Sequence, residues 1–467
     1  MTCAAETARQ VRAKEISPVE TVERALARVG RLNPALNAIV TLNPRALDEA
    51  RALERRIAAG EDPGLLAGVP VGIKDVTPVA GLRHTYGSTL YADHVAAEDA
   101  VVVARLRAAG AIILGKTNTP EFAAGGNTWN DVFGRTRNPW NLARSAGGST
   151  GGGAAALAAG MIGVAEGTDL GGSLRIPASF CGVLGIRPSI GLVPTWPAGW
   201  MWDTLQVSGP MARTAEDLGL ALQAMAGPSD RAPLAQRVEG RDFAAAARNG
   251  PKRGTRVAWC EDVAGIGVDP GIAAACRSAV GRLAEAGIDV EPVELDLRFA
   301  RDVFLALRGY WFVTWMHDDL GRTDDFGVNV RNNVRAGLGT AVRDLAAAER
   351  GRAEVWDRFR DLFTRFDHLL TPTMAVPPFP VEQNYPETIA GKPMRTYVDW
   401  IAPTFVLSLT GLPVASVPCG RDGDGMPVGL QIVGKPFGEE AVLALAASVQ
   451  AACPIGAPPL EAGGSRA

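Results

Sequence analysis

The segment from about residue 122 to 212 constrains this chain more than any other feature of its sequence. It is crowded with glycine and serine, yet it also contains apolar stretches such as AAALAAGMIGVA at 154–165. A flexible linker would lack those apolar stretches. Glycine at this density is typical of backbone that must turn sharply or approach another group closely. The sequence therefore predicts an ordered region built around tight loops.

Composition narrows the class of protein. Of the 467 residues, 47% are apolar and 21% are charged, which excludes a disordered chain. The formal net charge is −3, so no electrostatic footprint predicts binding to nucleic acid or to an anionic membrane surface. The length allows up to about three domains of about 150 residues each, or one large α/β unit.

The positions of the cysteines and the lengths of the apolar runs indicate which cofactors and which cellular location to expect. The six cysteines are scattered, with no CxxC pair, so we expect reduced thiols in a cytoplasm and neither a zinc site nor a disulfide framework. The first residues, MTCAAETARQ, do not read as a signal peptide. The longest uncharged window, 145–165, has an apolar part shorter than the about 20 residues of a membrane span. No membrane partner is therefore expected.

Periodicity predicts alternating helices and strands. Ser17 and Glu20 form a capping-box pattern before a helical run to about Arg31, and 37–42 reads as a strand. From residue 69 onward, short apolar strands alternate with helical stretches, which favours a layered α/β fold with a mostly parallel sheet. Strand–helix–strand texture returns at 254–297, and 300–366 reads as helical and rich in arginine.

Two short motifs fit patterns that their surroundings do not support. Gly110 to Thr117 matches the phosphate-loop pattern GxxxxGK[ST], but a helix precedes it and AIIL within it reads as a strand. Gly147 to Gly151 matches the GxSxG elbow of Ser-His-Asp hydrolases, with His317 and His368 downstream. The elbow needs a preceding strand, and NPWNLARSA is a poor one. A Ser-His-Asp esterase therefore stays an alternative of lower weight.

Three stretches taken together carry a resemblance to a known family. They are GIKD at 72–75, GGSTGG at 147–152 and GTDLGGSLRIP at 167–177. The sequence resembles the amidase signature family of serine hydrolases, with supporting matches such as LGKTNTPEFA, CGVLGIRPSIGLVP and GMPVGLQIVGKPF along nearly the whole chain. The resemblance implies one α/β/α sandwich domain over 1–467 with a mixed central β-sheet surrounded by helices. Its signature core spans about 69–212, between N-terminal helices at 4–59 and a variable helical region at about 220–400.

The resemblance also implies a catalytic triad of Ser173, Ser149 and Lys74. Ser173 matches the nucleophile, and a serine hydroxyl is weak at neutral pH without an adjacent base. Lys74 matches that base, which acts only when neutral, so burial must lower its pKa towards about 7–8. Ser149 matches the serine that relays the proton, and the family places it after a cis peptide bond, here Gly148–Ser149.

Further roles follow from the same resemblance. Backbone N–H groups around Ser173 are expected to form an oxyanion hole for the developing negative charge, and they belong to Leu170, Gly171, Gly172 and Ser173. Supporting positions around the loop are assigned to Asp169, Arg175 and Thr150. Three residues depart from the common family pattern without removing a reacting group: Ala146, Thr150 and Leu170.

The substrate pocket is predicted from local composition. The segment 195–202 (TWPAGWMW) holds three of the chain's ten tryptophans and a methionine, which suit an adaptable apolar wall around a ring. With Leu170 and the small residues at 123–126, this predicts a bulky, neutral, aromatic amide or carbamate (urethane). The alternative that these tryptophans only cover the hydrophobic core also stays open. The predicted pocket residues are Gly125, Gly126, Asn127, Trp196, Trp200, Met201 and Trp202.

The expected activity is hydrolysis of a C–N bond through an acyl-enzyme, without metal or organic cofactor, in a monomer or homodimer. One alternative is the glutaminase subunit of a tRNA-dependent amidotransferase, although Ile176 follows Arg175 where that subunit commonly has glutamine. Another is a non-catalytic scaffold, which the intact triad positions disfavour.

Overall fold

Local capping chemistry fixes the start of one of the N-terminal helices. The computed structural model describes residues 3–460, and it opens with α1 (Ala4–Arg12), α2 (Pro18–Leu36), β1 (Ile39–Leu42) and α3 (Ala46–Ala58). At the start of α2 the Ser17 side chain accepts a hydrogen bond from the Glu20 N–H, and the Glu20 carboxylate accepts one from the Ser17 N–H. The predicted capping box is confirmed.

The remaining elements alternate along the chain. The strands are β2 (Pro70–Lys74), β3 (Ile112–Thr117), β4 (Trp129–Asn130), β5 (Gly134–Arg135), β6 (Arg137–Asn138), β7 (Asn141–Ser145), β8 (Val164–Asp169), β9 (Leu184–Arg187), β10 (Val207–Ala212), β11 (Arg256–Trp259), β12 (Asp289–Pro292), β13 (His368–Pro372), β14 (Thr388–Ile389), β15 (Lys392–Pro393), β16 (Val414–Arg421) and β17 (Pro427–Gly434). The helices are α4 (Val101–Ala108), α5 (Gly151–Ala158), α6 (Arg175–Cys181), α7 (Ala215–Met225), α8 (Phe243–Asn249), α9 (Pro270–Glu285), α10 (Ala300–Trp315), α11 (Val328–Leu338), α12 (Val342–Leu362), α13 (Ala402–Ser408) and α14 (Glu439–Ala452).

Eleven strands form one mixed sheet in the order β1-β3-β2-β8-β10-β9-β16-β17-β13-β11-β12. β2 pairs in parallel with β3 and β8, and β11 pairs in parallel with β12 and β13, while the other neighbours are antiparallel. The sheet is therefore mixed, as the family resemblance implies, rather than mostly parallel as the alternation of elements alone predicts.

Helices cover both faces of the sheet. On β3, Ile113 packs into a buried apolar cluster that includes α7 and α14, whereas Ile112 and Leu114 pack into another cluster that includes α2, α3 and α5. Successive residues of a strand point to opposite faces, so each face has its own helical layer. The fold is an α/β/α sandwich.

The parallel pair β2 and β8 positions the candidate site. Their register places Ile73 beside Glu166, so Lys74 and Asp169 stand at the carboxyl ends of neighbouring strands. Ligands of open α/β sheets bind at such carboxyl ends. Two loops meet there: one runs into α5 and the other into α6.

Both misleading motifs have a structural explanation. Residues 112–117 are β3, preceded by α4, so the phosphate-loop pattern covers a turn and a strand, as expected. The expectation that NLARS is a poor strand is wrong, because Asn141–Ser145 is β7. It pairs with β6 in a mostly exposed hairpin outside the main sheet and bridges to Pro380, and such a hairpin needs little apolar content.

Candidate active site

Lys74 ends β2 with its side chain fully buried (0% exposed). Its Nζ lies 2.6 Å from Ser149 Oγ and 2.9 Å from Thr168 Oγ1, and the Thr168 carbonyl oxygen is 3.5 Å away. These partners are hydroxyl and carbonyl oxygens, and no carboxylate touches the amine in the described chain. Burial lowers the pKa of Lys74 to about 7, while the charges of Glu166 and Asp169 oppose that shift.

Ser149 lies in a loop that is fixed from both sides. The Gly148–Ser149 peptide bond is cis, as the family resemblance implies. Gly147 has a φ of +75°, and a Cβ there would lie 2.9 Å from the Pro177 Cα, so only glycine fits between this loop and α6. Thr150 is fully buried, and its hydroxyl has no hydrogen-bond partner among the described residues.

The loop after β8 presents backbone donors, but fewer than the four predicted. The Gly172 N–H donates to Asp169 Oδ1 at 2.8 Å, so it is not free for an oxyanion. The N–H groups of Leu170, Gly171 and Ser173 have no hydrogen-bond acceptor within residues 3–460. The Gly172 N–H is occupied because the Asp169 carboxylate folds back over its own loop.

Asp169 and Arg175 hold this loop in place. Arg175 Nε and Nη2 both reach the Asp169 carboxylate at 3.0 Å, and Arg175 Nη2 also donates to Ser408 Oγ at 2.7 Å. Arg187 lies 3.5 Å from the same carboxylate. Burial alone would raise the pKa of Asp169, but the two arginines and the Leu174 N–H lower it to about 2. Asp169 is therefore ionised and serves as the loop's anchor.

Ser173 sits where the two loops meet. It is partly exposed, and its carbonyl oxygen accepts a hydrogen bond from the Thr150 N–H at 3.2 Å. Its hydroxyl forms no hydrogen bond within the described part of the chain, including to Ser149. The structure thus joins Lys74 directly to Ser149 and joins the two serine loops through the backbone. The Ser149–Ser173 hydroxyl contact of the expected relay is not formed.

Sequence reasoning missed two buried charged groups beside Lys74. Glu166 Oε2 accepts the Lys74 N–H at 3.2 Å, and Glu166 Oε1 accepts the Thr77 hydroxyl at 3.0 Å. Burial raises the pKa of Glu166, and the charges of Lys74 and Lys116 oppose that rise. Lys116 Nζ lies 3.0 Å from Asp75 Oδ1. The alternation of strands and helices in the sequence indicates that β2, β3 and β8 belong to a sheet, but it does not give their order.

A cavity of about 400 Å³ opens beside these groups. Its wall includes Thr168, which is bonded to Lys74, and Thr77, which is bonded to Glu166. The wall does not include Lys74, Ser149 or Ser173 themselves, so Thr168 is the link between cavity and triad. Five aromatic residues also line it, namely Tyr86, Trp196, Trp200, Trp311 and Trp315.

Only part of the tryptophan-rich segment 195–202 lines the cavity. Trp196, Trp200 and Met201 line the cavity, whereas Trp202 does not and is 63% exposed. Trp200 packs edge-on against Tyr310 of α10, with ring centroids 5.3 Å apart. Trp196 is fixed by Arg231, whose guanidinium lies 4.0 Å above its ring. The segment has neither helix nor strand and is anchored at both Trp196 and Trp200.

Gly125, Gly126 and Asn127 lie against the serine loop rather than on the cavity wall. A Cβ at Gly148 would come within 2.9 Å of the Gly125 carbonyl oxygen, and one at Gly126 would come within 2.3 Å of Trp400. The Asn127 side chain is buried and donates to two carbonyl groups of the 381–383 segment. Their close packing explains why small residues stand here.

Histidine does not take part in the arrangement at Ser149. In the described chain no histidine hydrogen-bonds to that hydroxyl, whose partner is Lys74. His317 lies in a 3₁₀ segment (His317–Asp325), and His368 is buried at the start of β13. Burial lowers the pKa of His368 to about 4. The geometry at Ser149 therefore disfavours the Ser-His-Asp alternative.

A metal centre and a membrane span are two further possibilities. Between residues 3 and 460 no three side chains of histidine, cysteine, aspartate or glutamate gather closely enough to hold a metal ion. Each helix described is too short or too polar to cross a lipid bilayer.

Comparisons with known proteins identify the family of this chain and several relatives. The family model described as Amidase matches residues 20–443. An acylamidase from Rhodococcus erythropolis is 36% identical over 97% of this chain and 95% of its own length. A glutamyl-tRNA(Gln) amidotransferase subunit from Carboxydothermus hydrogenoformans is 35% identical over 95% of both chains.

Solved structures of both kinds of relative resemble this chain over most of its length. A bacterial aryl acylamidase of the amidase signature family superposes with a TM-score of 0.91 at 32% identity, over 97% of this chain and 96% of that one. The corresponding glutamyl-tRNA(Gln) amidotransferase subunit from Thermotoga maritima superposes with a TM-score of 0.74 at 28% identity, over 94% and 92% of the two chains.

Proposed function

We propose that this chain, which belongs to the amidase signature family and is an amidohydrolase, cleaves amide or carbamate C–N bonds of bulky, neutral, aromatic substrates. The observation that carries the proposal is the buried Lys74 amine, 2.6 Å from Ser149 Oγ with only oxygen partners that carry no charge. A lysine in this setting loses its proton near neutral pH and becomes a general base.

The chemistry then uses three side chains in sequence. Ser173 Oγ attacks the carbonyl carbon, and its proton passes to Ser149 while the Ser149 proton passes to Lys74. This relay requires the Ser173 hydroxyl to turn towards Ser149, and the hydrogen bond from the Thr150 N–H to the Ser173 carbonyl oxygen already joins the two loops. The amine then leaves with a proton returned from Lys74, and the acyl group stays on Ser173 until water releases it.

The negative charge of the tetrahedral intermediate needs donors that are already in place. The unpaired N–H groups of Leu170, Gly171 and Ser173 supply them, and loss of one such donor typically costs about 10²–10³ in kcat. Asp169 and Arg175 act indirectly, because they fix the loop that carries those donors. Gly172 also acts indirectly, because its N–H is bonded to the Asp169 carboxylate.

The cavity supports the substrate class. Its aromatic wall matches a planar ring, and a volume of about 400 Å³ is within the range of sites for small organic molecules. The similarity to the bacterial aryl acylamidase points in the same direction. Carbamates differ from amides only by an oxygen beside the carbonyl, so the same triad serves both. Cytoplasmic location and cofactor independence remain part of the proposal.

A second candidate is the glutaminase subunit of a tRNA-dependent amidotransferase, because several relatives near 35% identity carry that name. Two observations weigh against it. The described wall of the cavity includes no lysine or arginine to pair with the glutamine carboxylate. The superposition is also poorer, with a TM-score of 0.74 against 0.91 for the aryl acylamidase.

A substrate panel tests the proposal. We expect kcat/KM for acetanilide or an aryl carbamate to exceed that for acetamide, malonamate and glutamine by at least about tenfold, because ring burial contributes about 1.5–3 kcal/mol. A preference for glutamine would favour the second candidate, and a preference for acetamide would contradict the aromatic cavity.

A matched pair of variants tests the wall itself. Trp200→Ala removes a ring from the cavity and should raise KM for the aryl substrate by about tenfold. Trp202→Ala removes a ring of the same size that lies outside the cavity and should leave KM within about twofold. Equal effects of the two variants would contradict the assignment of the wall.

A further inference from the structure

Asp203 stands out on the cavity wall. Among the described lining residues it is the one aspartate, glutamate, lysine, arginine or histidine, and the rest of the wall is apolar, hydroxyl or amide. Its carboxylate is partly buried, and burial raises its pKa. A single carboxylate on an otherwise uncharged wall contributes a negative potential to the space that a substrate enters.

The hydrogen bonds of Asp203 leave part of the carboxylate unused. Oδ1 accepts the N–H groups of Leu205 and Gln206 at 2.7 and 3.0 Å, and Oδ2 accepts Trp311 Nε1 at 2.6 Å. A carboxylate offers about four acceptor positions. One position on Oδ2 therefore stays open.

Two arginines, Arg187 and Arg352, interact with this carboxylate through their charge, and Arg352 donates to the adjacent Thr204 carbonyl oxygen at 2.8 Å, but neither forms an ion pair with Asp203 in the described chain. Arg187 opposes the rise in its pKa, but Arg187 is committed elsewhere: it pairs with Asp169 at 3.5 Å and donates to the carbonyl of Leu205 at 2.9 Å. The described chain contains no ion pair to Asp203. Through Leu205 and Arg187, these contacts connect Asp203 to Asp169, the anchor of the oxyanion loop.

We propose that Asp203 determines specificity by charge: its open acceptor position takes an N–H donor or ammonium group of the substrate, and its negative charge excludes substrates that carry a carboxylate. This inference rests on the proposed function and revises one part of it: the ring and the scissile bond stay as proposed, and a cationic substituent is favoured over a neutral one. The preferred substrates are aromatic amides or carbamates that bear a second nitrogen donor away from the scissile bond. Aromatic amides with an acidic substituent are rejected.

The test uses three acetanilides that differ only at the para position: aminomethyl, hydroxymethyl and carboxylate. At about pH 8 these substituents are cationic, neutral and anionic. For the wild-type chain we expect kcat/KM for the cation to exceed that for the anion by about 100-fold, with the neutral compound between them. Comparable values for the cation and the anion would overturn the proposal without any variant.

Asp203→Asn removes the charge at nearly constant size. We expect the cation-to-anion ratio to fall at least about tenfold, and because both substrates are assayed on the same variant, a general loss of activity cancels from that ratio. Asp203→Ser is the second variant, since its hydroxyl still accepts a backbone N–H, and the same loss of discrimination is expected. An unchanged ratio in a folded variant would overturn the proposal.

Asp269→Asn is the matched control. Asp269 Oδ1 accepts the N–H groups two and three residues onward, as Asp203 Oδ1 does, but Asp269 caps α9 away from the cavity wall. Its loss should leave the ratio unchanged. Failure of the proposed function is recognised separately, because the neutral acetanilide would then not be turned over by the wild-type chain.

Discussion

Two lysines on neighbouring strands show how one residue type takes opposite roles in this fold. Lys74 ends β2 and Lys116 lies on β3, where the parallel register places Lys116 beside Ile73. Both side chains are fully buried (0% exposed). Lys116 meets the Asp75 carboxylate at 3.0 Å, whereas Lys74 meets the Ser149 and Thr168 hydroxyl groups.

The difference between the partners decides what each amine can do. Burial lowers the pKa of both lysines, and at Lys116 the adjacent carboxylate opposes that shift. Loss of the proton from Lys116 would leave Asp75 as a buried charge without its partner, which is costly. Loss of the proton from Lys74 leaves hydroxyl groups that can still donate to the neutral amine. Lys116 is therefore structural, and Lys74 is free to move a proton.

The largest expected effect is on catalysis at Lys74. Lys74→Met removes the proposed base at similar length, and kcat/KM should fall by about 10³-fold or more. The fold should persist, because an apolar side chain replaces an amine that burial already disfavours. Kinetics and a thermal melt on the same sample check both statements. A variant that melts early, or one that retains a tenth of the activity, would contradict the comparison.

The second effect is on stability at Lys116. Lys116→Met leaves Asp75 buried and unpaired, and we expect the free energy of unfolding to fall by about 3–5 kcal/mol. Urea titration measures the change. The double variant Lys116→Met with Asp75→Asn should recover part of the loss, since the isolated charge is gone. No recovery would show that packing, and not the charge, explains the effect.

The third effect concerns the pH dependence of the reaction. In the proposed mechanism the base is neutral Lys74, so kcat/KM should rise with pH through about 7, where the lowered pKa of Lys74 lies. The negative charge of Glu166 raises that pKa, so Glu166→Gln should move the rising limb to lower pH by about 0.5–1 unit. A shift of the rising limb to higher pH, or no shift, would show that the charge of Glu166 does not raise the pKa of the base.

The smallest effect is expected at the histidines. It tests whether a histidine, instead of Lys74, carries the proton. His317→Ala and His368→Gln should each leave kcat/KM within about threefold, because neither side chain contacts Lys74, Ser149 or Ser173 in the described chain. Steady-state assays suffice. A loss as large as that of Lys74→Met would restore the Ser-His-Asp interpretation.

The sequence predicts the fold class and the meeting of Lys74 with Ser149 because both depend on short motifs at fixed places in a known topology. The glycines that let the loops pack are visible in the same motifs. The split between Trp200 and Trp202 is not visible, because no regular periodicity in that segment tells which ring faces inward. Nor does the sequence reveal that the Asp169 carboxylate captures the Gly172 N–H, which depends on the path of one tight loop.

The roles of Glu166 and Lys116 depend on contacts across the sheet. Their nearest charged partners are 41–92 residues away in sequence, and only the strand order β3-β2-β8 brings them together. A motif read along the chain treats each as an ordinary strand residue. Asp203 belongs to the same class, because its significance comes from the absence of other charges on the described cavity wall.

The central claim is that Ser173 is the nucleophile and that neutral Lys74 activates it through Ser149. Labelling with a fluorophosphonate probe, followed by peptide mass spectrometry, tests this most directly. We predict a single adduct on Ser173 in the wild-type chain, formed faster as pH rises through about 7, and labelling at least about 10²-fold slower in Lys74→Met. An adduct on Ser149, or equal labelling rates in the two proteins, would contradict the account.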